Sequence, residues 1–117
     1  MSSRTTSVIL SAAKDLITPK PVVAMPFYVY LTTNPAKSVL YIGVTNSLSD
    51  RMAQHYANRG SAQTFAGRYF CYNLVYFEDC TDIKAAIARE KELKGWTRAK
   101  KEALIAINNP EWLFLQT

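Results

Sequence analysis

The stretch 27–43, FYVYLTTNPAKSVLYIG, most constrains how this chain can fold, because it reads as two short strands joined by a turn. Residues 27–31 and 39–42 are all aromatic, β-branched or leucine, a composition that is typical of strands. The connection at 32–38 is rich in turn-forming residues and is too long for a two-residue hairpin. The stretch therefore predicts a strand pair with a longer loop.

Each predicted strand carries a tyrosine, Tyr30 in the first and Tyr41 in the second, and the second strand ends at Gly43. A glycine at this point allows a sharp turn or a close approach of the backbone to a ligand. Two phenols beside a glycine could form a chemical site, but tyrosine is also a common half-buried strand residue. Both interpretations stay open from these residues alone.

Composition sets limits on the class of protein. The 117 residues include 14 Lys and Arg against nine Asp and Glu, and this net charge of +5 favours a polyanionic partner such as nucleic acid. The length predicts a single domain with one modest core. Cys71 and Cys80 lack a metal-ligand spacing, and no apolar run reaches the length of a membrane span. We therefore expect no structural zinc and a cytoplasmic location.

Residues 1–24 differ from the rest of the chain, since they contain four Ser, three Thr and two Pro but no aromatic residue. Their apolar piece at 8–10 is soon interrupted by charged residues, which makes it a poor secretory signal. We expect a loosely ordered extension at 1–24 and a folded domain at 25–117, with Met25 as a candidate start.

A helix is predicted after the strand pair. Ser47 is a good N-cap, and Gly60 ends the helix soon after about Asn58. Arg51 and His55 are four residues apart and therefore share a helix face. His55 falls within the apolar sector, where a lone histidine can be either a hydrogen-bonded core residue or a catalytic group.

The segment 60–71 predicts a loop that mixes basic and aromatic side chains, among them Arg68 and Phe65. Such a mixture suits a nucleic-acid surface. It suits an ordinary loop that is anchored by its aromatic rings nearly as well. Residues 72–78 then read as a third strand.

Two further helices are predicted, over 82–94 and 98–108. At about 100° per residue, Glu90 falls in the middle of the apolar arc of the first of these helices. A carboxylate in a buried stripe requires a cation or strong donors, so Glu90 is interpreted either as an ion-pair partner or as a metal ligand. The predicted arc consists of Ile83, Ala86, Ile87 and Leu93.

Positive charge is concentrated in this two-helix section. Seven of the 14 basic residues lie between Lys84 and Lys101. They could face the phosphates of a nucleic acid, or they could form a solvated helix surface.

The predicted order of elements, strand, strand, helix, strand, helix, helix, resembles the GIY-YIG nuclease superfamily over about residues 26–115. Its small standalone bacterial members, which are similar to the nuclease domain of the excinuclease of nucleotide excision repair, resemble the chain most. Tyr28-Val29-Tyr30 stands where the family has Gly-Ile-Tyr, and Tyr41-Ile42-Gly43 matches Tyr-Ile-Gly. Arg51 lies ten residues after Tyr41, where the family places its arginine.

The resemblance implies an α+β fold, with a three-stranded antiparallel sheet flanked by three helices. It implies a metal-dependent endonuclease that hydrolyses DNA phosphodiester bonds in DNA repair or recombination, with one Mg²⁺ or Mn²⁺ ion. We expect Gly43 and Arg68 to contact the substrate together with Asn109, which we choose over Asn108 as the closing asparagine of the family. The catalytic positions that the resemblance assigns are Tyr30, Tyr41, Arg51, His55 and the metal ligand Glu90.

These residue types suit the chemistry. The guanidinium of Arg51 can hold a phosphate oxygen, and a carboxylate is a hard oxygen ligand for Mg²⁺. A tyrosine, whose reference pKa is about 10, needs nearby positive charge before it can act as a base. Tyr30 and Tyr41 are equal candidates for this base, and His55 could assist it or orient the attacking water.

The expected partner is DNA, with branched and single-stranded forms as candidates, and a partner protein could direct the enzyme to its target. The competing interpretation is a non-catalytic module on the same fold, which would bind nucleic acid or another protein. Metal-dependent nicking of DNA distinguishes the two classes.

Overall fold

The computed structural model describes residues 26–117, so the proposed extension at 1–24 lies outside the described residues. The strands are β1 (Phe27–Thr33), β2 (Leu40–Thr45) and β3 (Asn73–Cys80). The helices are α1 (Leu48–Ala57), α2 (Phe65–Arg68), α3 (Ile83–Lys94) and α4 (Arg98–Asn108).

The strands form one antiparallel sheet in the order β2-β1-β3. The predicted α+β class, the three-stranded sheet and the order of the predicted elements are therefore confirmed. The four-residue helix α2 is an addition, since it lies in the segment that was predicted as a loop. No helix within the described part of the chain is long and apolar enough to cross a membrane.

Each helix begins at a side chain that accepts a hydrogen bond from a free backbone N–H of its first turn. The cap of α2, Thr64, was not identified from the sequence, because a four-residue helix shows no hydrophobic period. The four caps are Ser47, Thr64, Asp82 and Thr97.

The register of the β1–β2 pair gives the sheet two different faces. Tyr30 lies opposite Gly43, and Thr32 lies opposite Tyr41. Because side chains alternate along a strand, these four residues share one face, which we call the tyrosine face. Leu31 belongs to the opposite face, the core face, with its partner across β2.

The hydrophobic core lies between the core face and the helices α3 and α4. Val29 and Leu31 of β1 are fully buried there. They belong to the same buried cluster as Ala86 and Leu93 of α3 and Ile105 of α4. The core therefore fixes β1 and β2 from one side and leaves the tyrosine face to α1.

The buried side of α3 differs from the prediction. Ala86 and Leu93 are fully buried, whereas Ile83 and Ile87 are 41% and 40% exposed. The helix approaches the sheet through the small side chain of Ala86, so its buried direction lies about 50° from Glu90 at 100° per residue. The expectation that Glu90 occupies the centre of a buried stripe is wrong, and its side chain lies at the edge with 21% exposed.

Candidate active site

The hydroxyl group of Tyr30 is the centre of a buried cluster on the tyrosine face. The Tyr30 side chain is fully buried. Its hydroxyl oxygen accepts a hydrogen bond from Nε of Arg51 at 3.0 Å and lies 2.8 Å from Nε2 of His55. Because the hydroxyl accepts from Arg51, its own hydrogen can be donated to His55, which then carries its proton on Nδ1. We call Tyr30, Arg51 and His55 the Tyr30 cluster.

Helix α1 brings Arg51 and His55 to the same hydroxyl group, because residues four apart lie on one face. The sequence predicted this shared face. Arg51 also donates from Nη1 to Oε1 of Gln54 at 2.8 Å, which holds the guanidinium in place. His55 is buried, as its position in the apolar sector indicated.

Gly43 makes room for the ring of Tyr30. A Cβ atom at position 43 would lie 2.4 Å from the hydroxyl oxygen of Tyr30 and 2.5 Å from its Cζ, distances that no side chain tolerates. Glycine therefore allows the Tyr30 ring to lie across β2 and reach α1. The sequence suggested that a ligand could approach the bare backbone of Gly43, and the structure places the Tyr30 ring there.

Tyr41 lies beside this cluster but is partly exposed. Its ring packs edge-on against the His55 ring, with the centroids 5.3 Å apart, and lies 6.2 Å from the Tyr30 ring. It also stacks with Phe65 of α2, with the centroids 6.3 Å apart and an interplanar angle of 23°. Tyr41 therefore connects the buried cluster to the surface.

Burial decides the protonation of the Tyr30 cluster. Burial raises the pKa of Tyr30 to about 12, despite the hydrogen bond and the charge of Arg51, which lower it. Burial and then the charge of Arg51 lower the pKa of His55 to about 4. At neutral pH the cluster therefore combines a neutral phenol and a neutral imidazole with a charged guanidinium, and Tyr30 is a poor proton acceptor.

The positive charge of Arg51 is maintained by the phenols around it. Burial alone would lower the pKa of Arg51, but Tyr30 and then Tyr41 raise it above its ordinary value. The guanidinium of Arg51 therefore lies near both tyrosines, one buried and one partly exposed.

Glu90 lies on α3, on the core side of the sheet. Its Oε2 atom is 3.1 Å from Nζ of Lys94, whose side chain is 56% exposed. Within residues 26–117, no hydrogen bond or ion pair joins Glu90 to the Tyr30 cluster. The ion pair nevertheless adjoins Tyr41, because Lys94 and Tyr41 line one cleft at the edge of β2.

This aromatic cleft has a volume of about 240 Å³. Strand β2 provides its floor, Phe65 provides an aromatic wall, and lysines from α3 and α4 lie at its rim. The sequence could not show that the cleft lies beside Tyr41, or that Lys94 and Lys101 line it. Both features depend on how the helices pack against β2. The lining residues are Leu40, Tyr41, Ile42, Phe65, Lys94 and Lys101.

Glu90 is the carboxylate that we consider for a metal ion at this edge of the sheet. In the part of the chain that the structure describes, no group of three or more His, Cys, Asp and Glu side chains is placed to hold a metal. Glu90 alone suits Mg²⁺ or Mn²⁺, because such ions can keep several water ligands. It does not suit structural zinc, which takes four protein ligands.

Arg68 and Asn109 form no hydrogen bond with the Tyr30 cluster within the described residues. Arg68 is exposed on α2 and donates from Nη2 to the carbonyl of Ala62 at 2.9 Å. Asn109 is buried, and its amide nitrogen donates to the carbonyls of Val75 and Leu113, each at 2.9 Å. Its amide oxygen accepts from the N–H of Leu113 at 2.8 Å, so Asn109 fastens the C-terminal segment to β3.

Comparison with known proteins gives the family to which the chain is similar. Residues 26–103 match the GIY-YIG catalytic domain family. A UPF0213 protein of Natronomonas pharaonis is 40% identical over 83 residues, which cover 71% of this chain and 94% of the relative. A UPF0213 protein of Haloquadratum walsbyi is 41% identical over 78 residues, 66% of this chain and 83% of the relative.

A solved structure is also similar. The solution NMR structure of a UPF0213 protein from Bacillus halodurans is 28% identical to this chain. The match covers 75% of this chain and 90% of that protein, with a TM-score of 0.47.

Proposed function

This chain belongs to the GIY-YIG catalytic domain family, and from that premise we propose that it is a metal-dependent endonuclease that hydrolyses DNA phosphodiester bonds. The proposal is carried by one observation: the side chains of Tyr30, Tyr41, Arg51 and His55 meet on one sheet face, beside the aromatic cleft with its two lysines. An ordinary core would not need a charged guanidinium held against two phenols.

Arg51 is the residue that we assign to the scissile phosphate. Two of its nitrogens are held in place by Tyr30 and Gln54, so the guanidinium is oriented before the substrate arrives. Its third nitrogen, Nη2, is the donor that we assign to a phosphate oxygen. A preoriented donor stabilises the charge of the transition state without a reorganisation cost.

Tyr41 is our choice for the general base, and Tyr30 for a positioning residue. The pKa of Tyr30 is about 12 and its ring has no exposed surface, so it can neither meet water nor accept its proton readily. Tyr41 is partly exposed at the aromatic cleft, where water has access. Arg51, on the same sheet face, would supply the nearby positive charge that the proposed base requires.

Glu90 is the residue that would hold Mg²⁺ or Mn²⁺. When bound there, such an ion neutralises charge on the scissile phosphate and on its leaving oxygen. Lys94 must release the Glu90 carboxylate for this purpose, and its exposed, flexible side chain makes that release inexpensive. The released ammonium group can then meet a neighbouring phosphate.

The ion pair of Glu90 with Lys94 is also the observation that favours a second candidate, a non-catalytic nucleic-acid-binding module. A lysine 3.1 Å from the carboxylate beside the cleft could keep a divalent ion away. In such a module, the net charge of +5 would serve binding alone.

One experiment distinguishes these functions. The protein is incubated with labelled duplex, branched and single-stranded DNA, with Mg²⁺ or Mn²⁺ and separately with excess chelator. We expect cleavage of at least one DNA with metal and none with chelator. Binding of these DNAs without cleavage under every metal condition would support the non-catalytic module instead.

Binding in either case is expected to be electrostatic. The logarithm of the affinity should fall linearly with the logarithm of the salt concentration, because lysines and arginines release the counterions of the phosphates. An affinity that does not change between low and physiological salt would contradict a nucleic-acid partner.

A further inference from the structure

We propose that the aromatic cleft binds one unpaired nucleotide of the DNA strand, with its base stacked on Phe65 and its phosphate held by Lys94 and Lys101. This inference rests on the proposed function and specifies its substrate class. The preferred DNA would have an unpaired nucleotide next to the bond that is cleaved, as in a bulge, a flap or a single-stranded gap.

The lining of the cleft matches the chemistry of a nucleotide. Its floor is apolar, its wall is an aromatic ring, and its rim carries two ammonium groups from Lys94 and Lys101. A base offers flat apolar faces, and the attached phosphate offers the complementary charge. The volume of about 240 Å³ lies below the roughly 300–1,000 Å³ of drug-sized pockets, so the cleft suits one planar ring system.

The aromatic side chains at this edge are unusually exposed. Phe65 is 50% exposed and Tyr69 is 43% exposed, with their ring centroids 4.7 Å apart. Contact between water and adjacent aromatic rings is unfavourable, and such exposed rings commonly mark a binding surface. Basic groups beside such rings are typical of surfaces that bind single-stranded nucleic acid.

The backbone that presents Phe65 is tightly fixed. The N–H of Gly60 donates to the carbonyl of Gly67 at 2.8 Å, and Thr64 accepts from the N–H of Gly67 at 2.9 Å. A Cβ atom at Gly67 would lie 2.7 Å from the carbonyl oxygen of Asn58, so the turn has no spare room. A ring on a fixed backbone loses little entropy when a base stacks on it.

The cleft adjoins the residues that we assign to catalysis. Tyr41 lines the cleft and also packs edge-on against His55. A nucleotide in the cleft would therefore be next to the phosphate that Arg51 holds. Bases inside a duplex are stacked and paired, so a base must be unpaired before it can stack on Phe65.

The test is a binding measurement without metal, so it does not depend on cleavage. Fluorescence anisotropy compares a duplex with the same duplex carrying a short central bulge, for the parent protein and for Phe65→Leu. We expect the parent to prefer the bulged DNA by about 10-fold or more. Phe65→Leu should weaken binding of the bulged DNA by about 5–150-fold, the value of one stacked base, and leave duplex binding unchanged.

Phe114→Leu is the matched control, because Phe114 is another exposed aromatic residue, 39% exposed, on the C-terminal segment. It should retain the preference for the bulge. The proposal is overturned if Phe65→Leu keeps the parental preference, or if Phe114→Leu loses it equally.

A second measurement uses only the parent protein. 2-Aminopurine placed in the bulge should lose fluorescence on binding, because stacking on an aromatic ring quenches it. Bound 2-aminopurine that keeps its full fluorescence would overturn the proposal. Failure of the endonuclease proposal appears differently, as intact DNA in the cleavage experiment with this preference still present.

Discussion

The surroundings of Tyr30 and Tyr41 differ sharply, although the two residues lie on neighbouring strands and the same sheet face. Around Tyr30 the phenol and the imidazole are buried, and one hydroxyl group connects Arg51 and His55. Around Tyr41 the surface opens into a cleft with a lysine rim. The closed region around Tyr30 fixes the orientation of Arg51. The open region around Tyr41 gives water and substrate access to the tyrosine face.

A contrast of partners separates two carboxylates that are about equally exposed, Glu78 of β3 at 22% and Glu90 of α3 at 21%. Glu78 receives two hydrogen bonds from Arg89, at 2.9 and 2.8 Å, and another from Tyr76. Burial alone would raise the pKa of Glu78, but these bonds hold it below its ordinary value. Glu90 is paired with the exposed Lys94. Glu78 therefore has a structural role, whereas Glu90 can exchange its exposed partner for a ligand.

The largest effect should come from the open region. Tyr41→Phe removes one hydroxyl group and keeps the ring, so we expect turnover to fall by about 10²–10⁴-fold, the usual contribution of a positioned base. The melting temperature should hardly change. Single-turnover cleavage and thermal melting measure the two effects, and a parental cleavage rate would show that Tyr41 only packs.

The matching change in the closed region should act mainly on stability. Tyr30→Phe leaves Nε of Arg51 and Nε2 of His55 without their partner inside the protein. We expect the free energy of unfolding to fall by about 1–3 kcal/mol, and cleavage to fall less than in Tyr41→Phe. Urea denaturation measures the loss. An unfolding energy equal to that of the parent would mean that the cluster contributes little to stability.

A smaller effect concerns pH and His55. Its pKa is about 4 in the folded protein, against 6.5 in the unfolded chain, so the unfolded chain binds more protons between these values. This contribution to stability is complete above about pH 6.5 and is lost as the pH falls towards 4. The loss is at most about 1.4 kcal/mol for each pH unit.

The control for this pH dependence is His55→Gln, which cannot titrate. Carboxylates also titrate in this range, so the unfolding free energies of the parent and the variant are subtracted at each pH. The difference should decline between pH 6.5 and 4. A difference that is independent of pH would contradict the lowered pKa of His55.

Local sequence patterns predicted most of the elements. The strand residues, the cap at Ser47, and the four-residue spacing of Arg51 and His55 all act over short distances along the chain. The meeting of Tyr30 with these two side chains required the β1–β2 register and the packing of α1, which no local pattern specifies.

The features that the sequence did not predict depend on tertiary packing. Glu90 lies at the edge of the buried side of α3 because the helix packs against the sheet through Ala86. The predicted apolar arc has residues on both sides of Glu90, so it could not show which side is buried. Asn109 holds the C-terminal segment on β3 by a hydrogen bond to the carbonyl of Val75. Val75 has no partner residue in β1, because the β1–β3 register shifts by one residue at this point. An irregularity of this kind depends on strand pairing, so the asparagine alone did not reveal its role.

The most direct test of the proposed function compares Glu90→Gln with Glu78→Gln in Mg²⁺-dependent DNA cleavage. Glu90→Gln should keep its fold and its metal-free DNA binding, since it loses only an ion pair with an exposed lysine, but should lose at least about 100-fold in cleavage. Glu78→Gln should be less stable yet cleave at the parental rate while folded. Cleavage by Glu90→Gln at the parental rate would contradict the assignment of Glu90 as the metal ligand.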